Sequence, residues 1–258
     1  MSKSAKKRRA RNRRKNRPTD LKSRIEQLHG AGPVFEQSQG IPATQWSEQY
    51  QRIRGAGRRL NEALVESIDK EGMRFAAKSL GMLRGDVFVF DDEDEVSLMM
   101  DYAIYNYRPD GMNAIERMAK ESPPDDDSDE ATWMAGALQS YHSMFLVVDR
   151  LPGFGIQARD VFSGEAVLVA DVSFSESATL GLTVAARLLP MENFSMTSGT
   201  ALPVTHQRVL LEIGKYVGRT CPKLKHVRSL SPDRALYLES YVIRTCLAAG
   251  GMQRIRYE

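Results

Sequence analysis

What most restricts the fold of this chain is a hydrophobic period that changes twice along its length. In the first half, apolar residues recur at helical spacing. Leu60, Leu64 and Ile68 repeat at i+4, and Val96, Met99, Met100, Ala103, Ile104 and Tyr107 follow a 3.6-residue stripe. Met112, Ile115 and Met118 predict a shorter helix after the turn Arg108-Pro109-Asp110-Gly111. Beyond the loop at Pro123–Asp127, Met134, Leu138, Tyr141 and Phe145 predict another. Leu21–Leu28 reads as a short helix before all of these.

Near Met144 the period falls toward two. Short apolar runs at Phe145–Val148, Ile156–Val161, Ala166–Val172, Leu182–Leu189 and Phe194–Thr197 alternate with turns such as Pro152-Gly153 and Ser163-Gly164. Runs of that length and spacing predict about five strands, enough for a small barrel or half-open sheet. After Pro203 the helical spacing returns, in Val209, Ile213 and Val217, then in Leu238, Val242, Cys246 and Ala249. Ser231-Pro232-Asp233 supplies a start signal for the last helix and Gly250-Gly251 a stop. The fold class expected is therefore α+β. A helical module at 21–143 precedes a small β barrel or sheet at 144–204, and C-terminal helices occupy 205–258.

Charge is distributed as unevenly as hydrophobicity. Met1–Arg17 holds four Lys and six Arg with no acid, whereas the whole chain carries only +3. Residues 18–143 carry −10, 144–204 carry −3, and 205–258 carry +6. A segment of this composition repels itself and has nothing to bury, so residues 1–20 are expected to form a disordered basic arm. Its cations Lys6, Lys7, Arg8, Arg9, Arg11, Arg13, Arg14, Lys15 and Arg17 suit the neutralisation of phosphates. Arg also grips phosphate through a planar fork. The arm has no aromatic residue on which to stack bases. Nucleic acid is the expected partner, with RNA favoured over DNA because basic arms fold as they thread structured RNA. The alternatives are a tail folded on the chain's own acidic module, an anionic membrane surface, and a solubilising tail on a protein–protein interaction module.

A second basic cluster, Arg219, Lys223, Lys225, His226 and Arg228, lies between the last two helices and could extend a phosphate track. The β segment has the wrong sign of charge for a nucleic-acid platform, and its Phe145, Phe162, Phe174 and Phe194 are expected in the core.

Catalytic and metal signatures are not found in the sequence. There is no Gly-x-Ser-x-Gly elbow, no phosphate-binding Walker loop and no His-x-x-x-His pair. The histidines at 29, 142, 206 and 226 are scattered through the sequence. The acid runs Asp91–Glu95 and Asp125–Glu130 lack calcium-loop spacing and suit helix starts. Cys221 and Cys246 are too few for a disulfide framework, and no Cys-x-x-Cys pair exists for zinc. No apolar run reaches the length of a membrane helix, and no apolar segment follows the basic start as in a secretory signal. A non-enzymatic, cytoplasmic accessory protein without cofactor or metal is the expectation.

Four short patterns carry a resemblance. They are Ser140-x-x-Ser143-x-Phe145, Pro152-Gly153-x-Gly155, Asp160-x-x-x-Gly164-Glu165, and Ala186-Arg187-Leu188. The segment Ser140–Pro190 that contains them resembles part of a group of uncharacterised bacterial proteins that often carry a SEC-C zinc motif. The Cys-rich element of that motif is absent here, so no zinc site carries over. The resemblance implies a bacterial intracellular protein with a helix-to-barrel boundary near this segment, and it implies no activity.

Overall fold

A computed structural model describes residues 20–32, 43–204 and 206–250. Among them, nine α-helices surround a small β barrel. Six of the helices come first: α1 (Leu21–Gly30), α2 (Ala43–Glu66), α3 (Lys70–Leu80), α4 (Glu93–Asn106), α5 (Ala114–Glu121) and α6 (Asp129–Leu138). A two-strand hairpin, β1 (Leu83–Arg84) and β2 (Val87–Phe88), links α3 to α4. The barrel strands are β3 (Tyr141–Leu151), β4 (Gly155–Asp160), β5 (Ala166–Ala170), β6 (Thr183–Pro190) and β7 (Ser195–Pro203). A short helix α7 (Val172–Ser177) follows β5, and α8 (Gln207–Thr220) and α9 (Pro232–Leu247) end the fold.

The helices begin where short polar side chains satisfy the unpaired N–H groups of the first turn. Asp20, Asp69, Asp92, Ser128 and Asp171 all cap in this way. Asn113 and Glu116 cap α5 reciprocally. The longest helix, α2, packs against α6, and the two approach closely at Gly57, where any Cβ would overlap the Trp133 ring.

The strands close in the order β3-β4-β5-β7-β6. All neighbours are antiparallel except β5 and β7, which run parallel through Val169 opposite Ser195 and Ala170 opposite Met196. Helices cover the barrel's outside, so β3 is buried on both faces. Met144, Phe145, Leu146 and Val147 are successive core residues, as are nearly all of β6. This explains why the strands read as apolar runs and not as alternation. One continuous core runs from Ile53, Leu64 and Tyr102 of the helices through Phe145 and Ile156 to Ile213 and Val242.

Several local expectations need correction. The helix expected to include Tyr141 and Phe145 ends at Leu138, and both residues lie in β3. Gln139 closes the helix, and the chain then extends along β6, pairing Tyr141 with Leu188. Helical spacing in four residues was a coincidence overridden by strand pairing. Val96, placed on the buried stripe of α4, is 40% exposed, while Glu95 is buried and accepts from the Asp91 N–H. The last strand extends past Thr197 to Pro203, and α7 interrupts the segment expected to be all β. Of the barrel phenylalanines, Phe145, Phe162 and Phe194 are buried and Phe174 is half-buried against the core.

Candidate nucleic-acid interface

The nine arm cations, Lys6 to Arg17, lie outside the described residues. The arm's junction with the fold lies within them. Asp20 opens α1 by accepting from the Ser23 N–H at 3.1 Å and the Ser23 hydroxyl at 2.8 Å, bonds that hold its carboxyl below the usual range. Leu21 follows and is buried. One turn on, the Arg24 guanidinium donates from Nε to the Val161 carbonyl oxygen (2.9 Å) and from Nη2 to that of Phe162 (3.3 Å). Helix α1 packs on β3 and α8. Gly164 comes close to both Arg24 and Leu28.

That β4–β5 turn is built by its own sequence. Asp160 Oδ1 accepts from the N–H groups of Phe162 and Ser163, each at 2.8 Å, and Gly164 adopts φ +81°. Glu165 then meets His226 Nε2 at 2.9 Å and Arg228 Nη2 at 3.9 Å. Arg228 meets both imidazole nitrogens of His226, its backbone N–H donating to Nδ1 at 3.0 Å and its Nε to Nε2 at 3.2 Å. The Arg228 guanidinium lies 4.7 Å from the centre of the Tyr141 ring. Burial, with Asp160 nearby, pushes the Tyr141 hydroxyl up to about 12.

The turn Val161–Glu165 thus receives the root of the basic arm on one side and the 226–228 segment on the other. These two basic regions are about 200 residues apart in sequence. The structure divides the second cluster. Arg228 is tied to Tyr141 and Glu165 and does not project freely. Arg219, Lys223 and Lys225 are exposed and, among the described residues, form no salt bridge, although Arg219 adds to Lys215 in holding the Glu212 carboxyl below its usual range. The Arg219 Nε only caps its own helix at the Lys215 carbonyl.

Several of the remaining candidate groups have structural roles. In the first acid run, Asp92 caps α4 and Glu95 holds the Asp91 N–H. In the second, Asp129 pairs with Arg52 and Glu130 with Arg59, tying α6 to α2. Cys221 and Cys246 are buried free thiols, and burial pushes Cys246 up to about 12. Among the described residues, no helix is long and apolar enough to cross a membrane.

Three of the four resembling patterns also find their reasons here. Gly153 takes φ +76° in the β3–β4 turn, and a Cβ on Gly155 would lie 1.9 Å from the Val169 carbonyl oxygen. Asp160 and Gly164 shape the turn just described. Arg187 is different, a lone charge in the apolar strand Thr-Val-Ala-Ala-Arg-Leu-Leu-Pro. It is 5% exposed and bonds Glu239 of α9 at 2.5 Å. Sequence reasoning missed this group, although an arginine inside so apolar a strand is itself the signal of a buried partner.

No curated protein and no solved structure matches this chain. A family profile matches residues 44–217, which include the whole barrel, most of its helical cover and the Ser140–Pro190 segment. The chain therefore belongs to the family of unknown function DUF7986.

Proposed function

We propose that the protein docks on nucleic acid, RNA in preference to DNA, without catalysing a reaction. The basic segment Met1–Arg17 makes the main phosphate contacts, and Arg219, Lys223 and Lys225 continue them. The observation that carries this reading is the convergence of the arm root and the second basic segment on the turn Val161–Glu165, through Arg24 and through His226 and Arg228. Cations anchored on one turn act on one polyanion together, whereas scattered cations do not. Arg219, Lys223 and Lys225 are exposed and, among the described residues, form no salt bridge, which supports their availability to phosphate.

The test is binding of a structured RNA and of a duplex DNA of equal length across a salt series. The intact chain, a deletion of Met1–Arg17, and a triple change Arg219→Ala, Lys223→Ala, Lys225→Ala are compared. Both variants should bind more weakly and with shallower salt dependence, the deletion more so. An intact affinity after both changes would reject the reading. A protein partner retained at high salt would instead support an interaction module with a solubilising tail.

A further inference from the structure

Helix α2 carries four arginines between residues 52 and 59, and two of them hold the fold together. Arg52 and Arg59 pair with Asp129 and Glu130 of α6. Arg54, half-buried, and Arg58, exposed, form no salt bridge among the described residues, although Glu62 stands one turn beyond Arg58. Residues four apart share a helix face. Both side chains line one cavity of about 180 Å³, which opens between α2, the start of α7 and β7.

The backbone of β7 positions Arg54. Its Nη1 donates to the Thr197 carbonyl oxygen at 3.2 Å, which fixes the guanidinium against the strand. Gly199 lies beside Nη2, where a Cβ would come within 3.7 Å and any longer side chain would begin to cover the nitrogen. The φ of +123° at this position also favours glycine. The second nitrogen of the fork is thereby left open toward the cavity. Ser173 of α7 and Thr200 of β7 add hydroxyls to its wall.

The lining holds a single carboxylate, Asp171, and the fold already employs both of its oxygens. Oδ1 accepts from the Phe174 N–H at 3.1 Å, capping α7, and Oδ2 accepts from the Thr197 hydroxyl at 2.7 Å. Two guanidiniums against one carboxylate leave the lining net positive. Both guanidiniums also act on the buried Tyr50 hydroxyl, where they oppose the upward shift that burial and Asp171 impose. Their fields therefore meet at one part of the wall. A tetrahedral oxyanion there offers acceptors to both forks and to the hydroxyls at once.

We propose that this cavity binds the phosphate group of a small phosphate monoester, with the guanidiniums of Arg54 and Arg58 on its oxygens. The volume is about six times that of a water molecule, room for one such group and little more. The cavity shares no residue with the nucleic-acid reading, and the inference does not depend on it.

Methyl phosphate at about pH 8, where it is a dianion, and dimethyl phosphate, which keeps one charge, are the probes. Each is titrated into the full chain at constant ionic strength and followed by amide chemical shifts. Methyl phosphate should shift Ser173, Gly199 and Thr200 saturably with a Kd of about 1–10 mM. Dimethyl phosphate should bind roughly tenfold more weakly. Arg58→Gln removes an exposed side chain that holds no ion pair among the described residues. It should leave the melting temperature unchanged and cost roughly tenfold in methyl phosphate affinity. Arg208→Gln removes the same charge from α8, outside the cavity, and should cost less than about twofold. Shifts that do not saturate or lie away from the cavity, equal binding of the two esters, equal losses in the two variants, or full affinity in Arg58→Gln would each overturn the proposal.

Discussion

Arg24 and Val161 stand 137 residues apart in sequence, yet the guanidinium Nε of one donates to the carbonyl oxygen of the other at 2.9 Å. With the second bond to Phe162, this contact holds α1 on the β4–β5 turn. Because Asp20 opens α1, the same contact also fixes the point at which the described fold begins.

Replacing Arg24 with Ala should therefore cost about 1–2 kcal/mol in urea unfolding, the worth of charge-assisted bonds at a half-buried site. Arg24→Lys should restore little, since one ammonium cannot span two carbonyls as the fork does. RNA affinity should fall as well, because the arm and the Arg219–Lys225 segment would no longer share an anchor. An unfolding midpoint equal to that of the unaltered protein would show that α1 is not held by this contact.

Deleting Met1–Arg17 should leave the melting temperature almost unchanged while removing most RNA affinity. If about half of the ten cations touch phosphate, binding by the intact chain should fall with log salt at a slope of roughly −3.5 to −4.5. A loss of stability on deletion, reproduced by added salt, would mean that the arm neutralises the chain's own acidic helices.

The buried groups around Arg187 and Glu239 make a pH prediction with two opposing parts. Burial raises Asp101 to about 6 despite the nearby Arg187, so the folded state holds its proton more tightly than the unfolded chain does. That contribution is present at low pH and is lost as pH rises from about 4 through about 6. His142, lowered to about 4, does the reverse, since the unfolded chain takes up its proton first and stability rises with pH between about 4 and 6.5. The two should nearly offset in the unaltered protein. Asp101→Asn should expose a stability that climbs with pH across this window, and His142→Gln one that falls. Chemical denaturation at pH 4.5 and 6.5 checks both slopes, and parallel slopes in the two variants would contradict the assignment.

Gly155→Ala should be among the most damaging single changes in the barrel. Its Cβ would sit 1.9 Å from the Val169 carbonyl oxygen and 2.9 Å from the Asp171 nitrogen, both backbone atoms that cannot turn aside. A loss of about 3 kcal/mol or more is expected from such overlap. Gly85→Ala, by contrast, meets no neighbouring atom within 4 Å and carries only the strain of φ +61°, about 1 kcal/mol. Similar losses for the two would refute the packing argument.

Much of the architecture was legible because period two and period 3.6 are written by different residues. The strand runs at Ile156 and Ala166, and the helices at Val209 and Leu238, lie where their spacing predicts. Tyr141 and Phe145 were misread because a strand buried on both faces loses its alternation, and four apolar residues can then mimic a helix. The β1–β2 hairpin and α7 are too short to carry a period at all. The site was less legible than the fold. Lys223 and Lys225 announce themselves by composition, but the partners of Arg228 lie in distant segments, at Tyr141 and Glu165. The buried ion group around Arg187 draws Asp101, Arg187 and Glu239 from three separate elements, and no local spacing relates them.

The parallel pairing of β5 with β7 has a consequence for the making of the protein. It leaves the barrel open until Ser195 and Met196 reach Val169 and Ala170, and α1 also leans on α8, which ends at Thr220. About 180 residues separate α1 from the end of β7, so at roughly 5–20 residues per second the basic segment spends about 10–40 s outside the ribosome before its dock is complete. On the nucleic-acid reading proposed above, its ten cations would face ribosomal RNA throughout that interval. On that reading the late closure of one barrel seam would make the nascent chain, more than the finished protein, the form most exposed to indiscriminate capture.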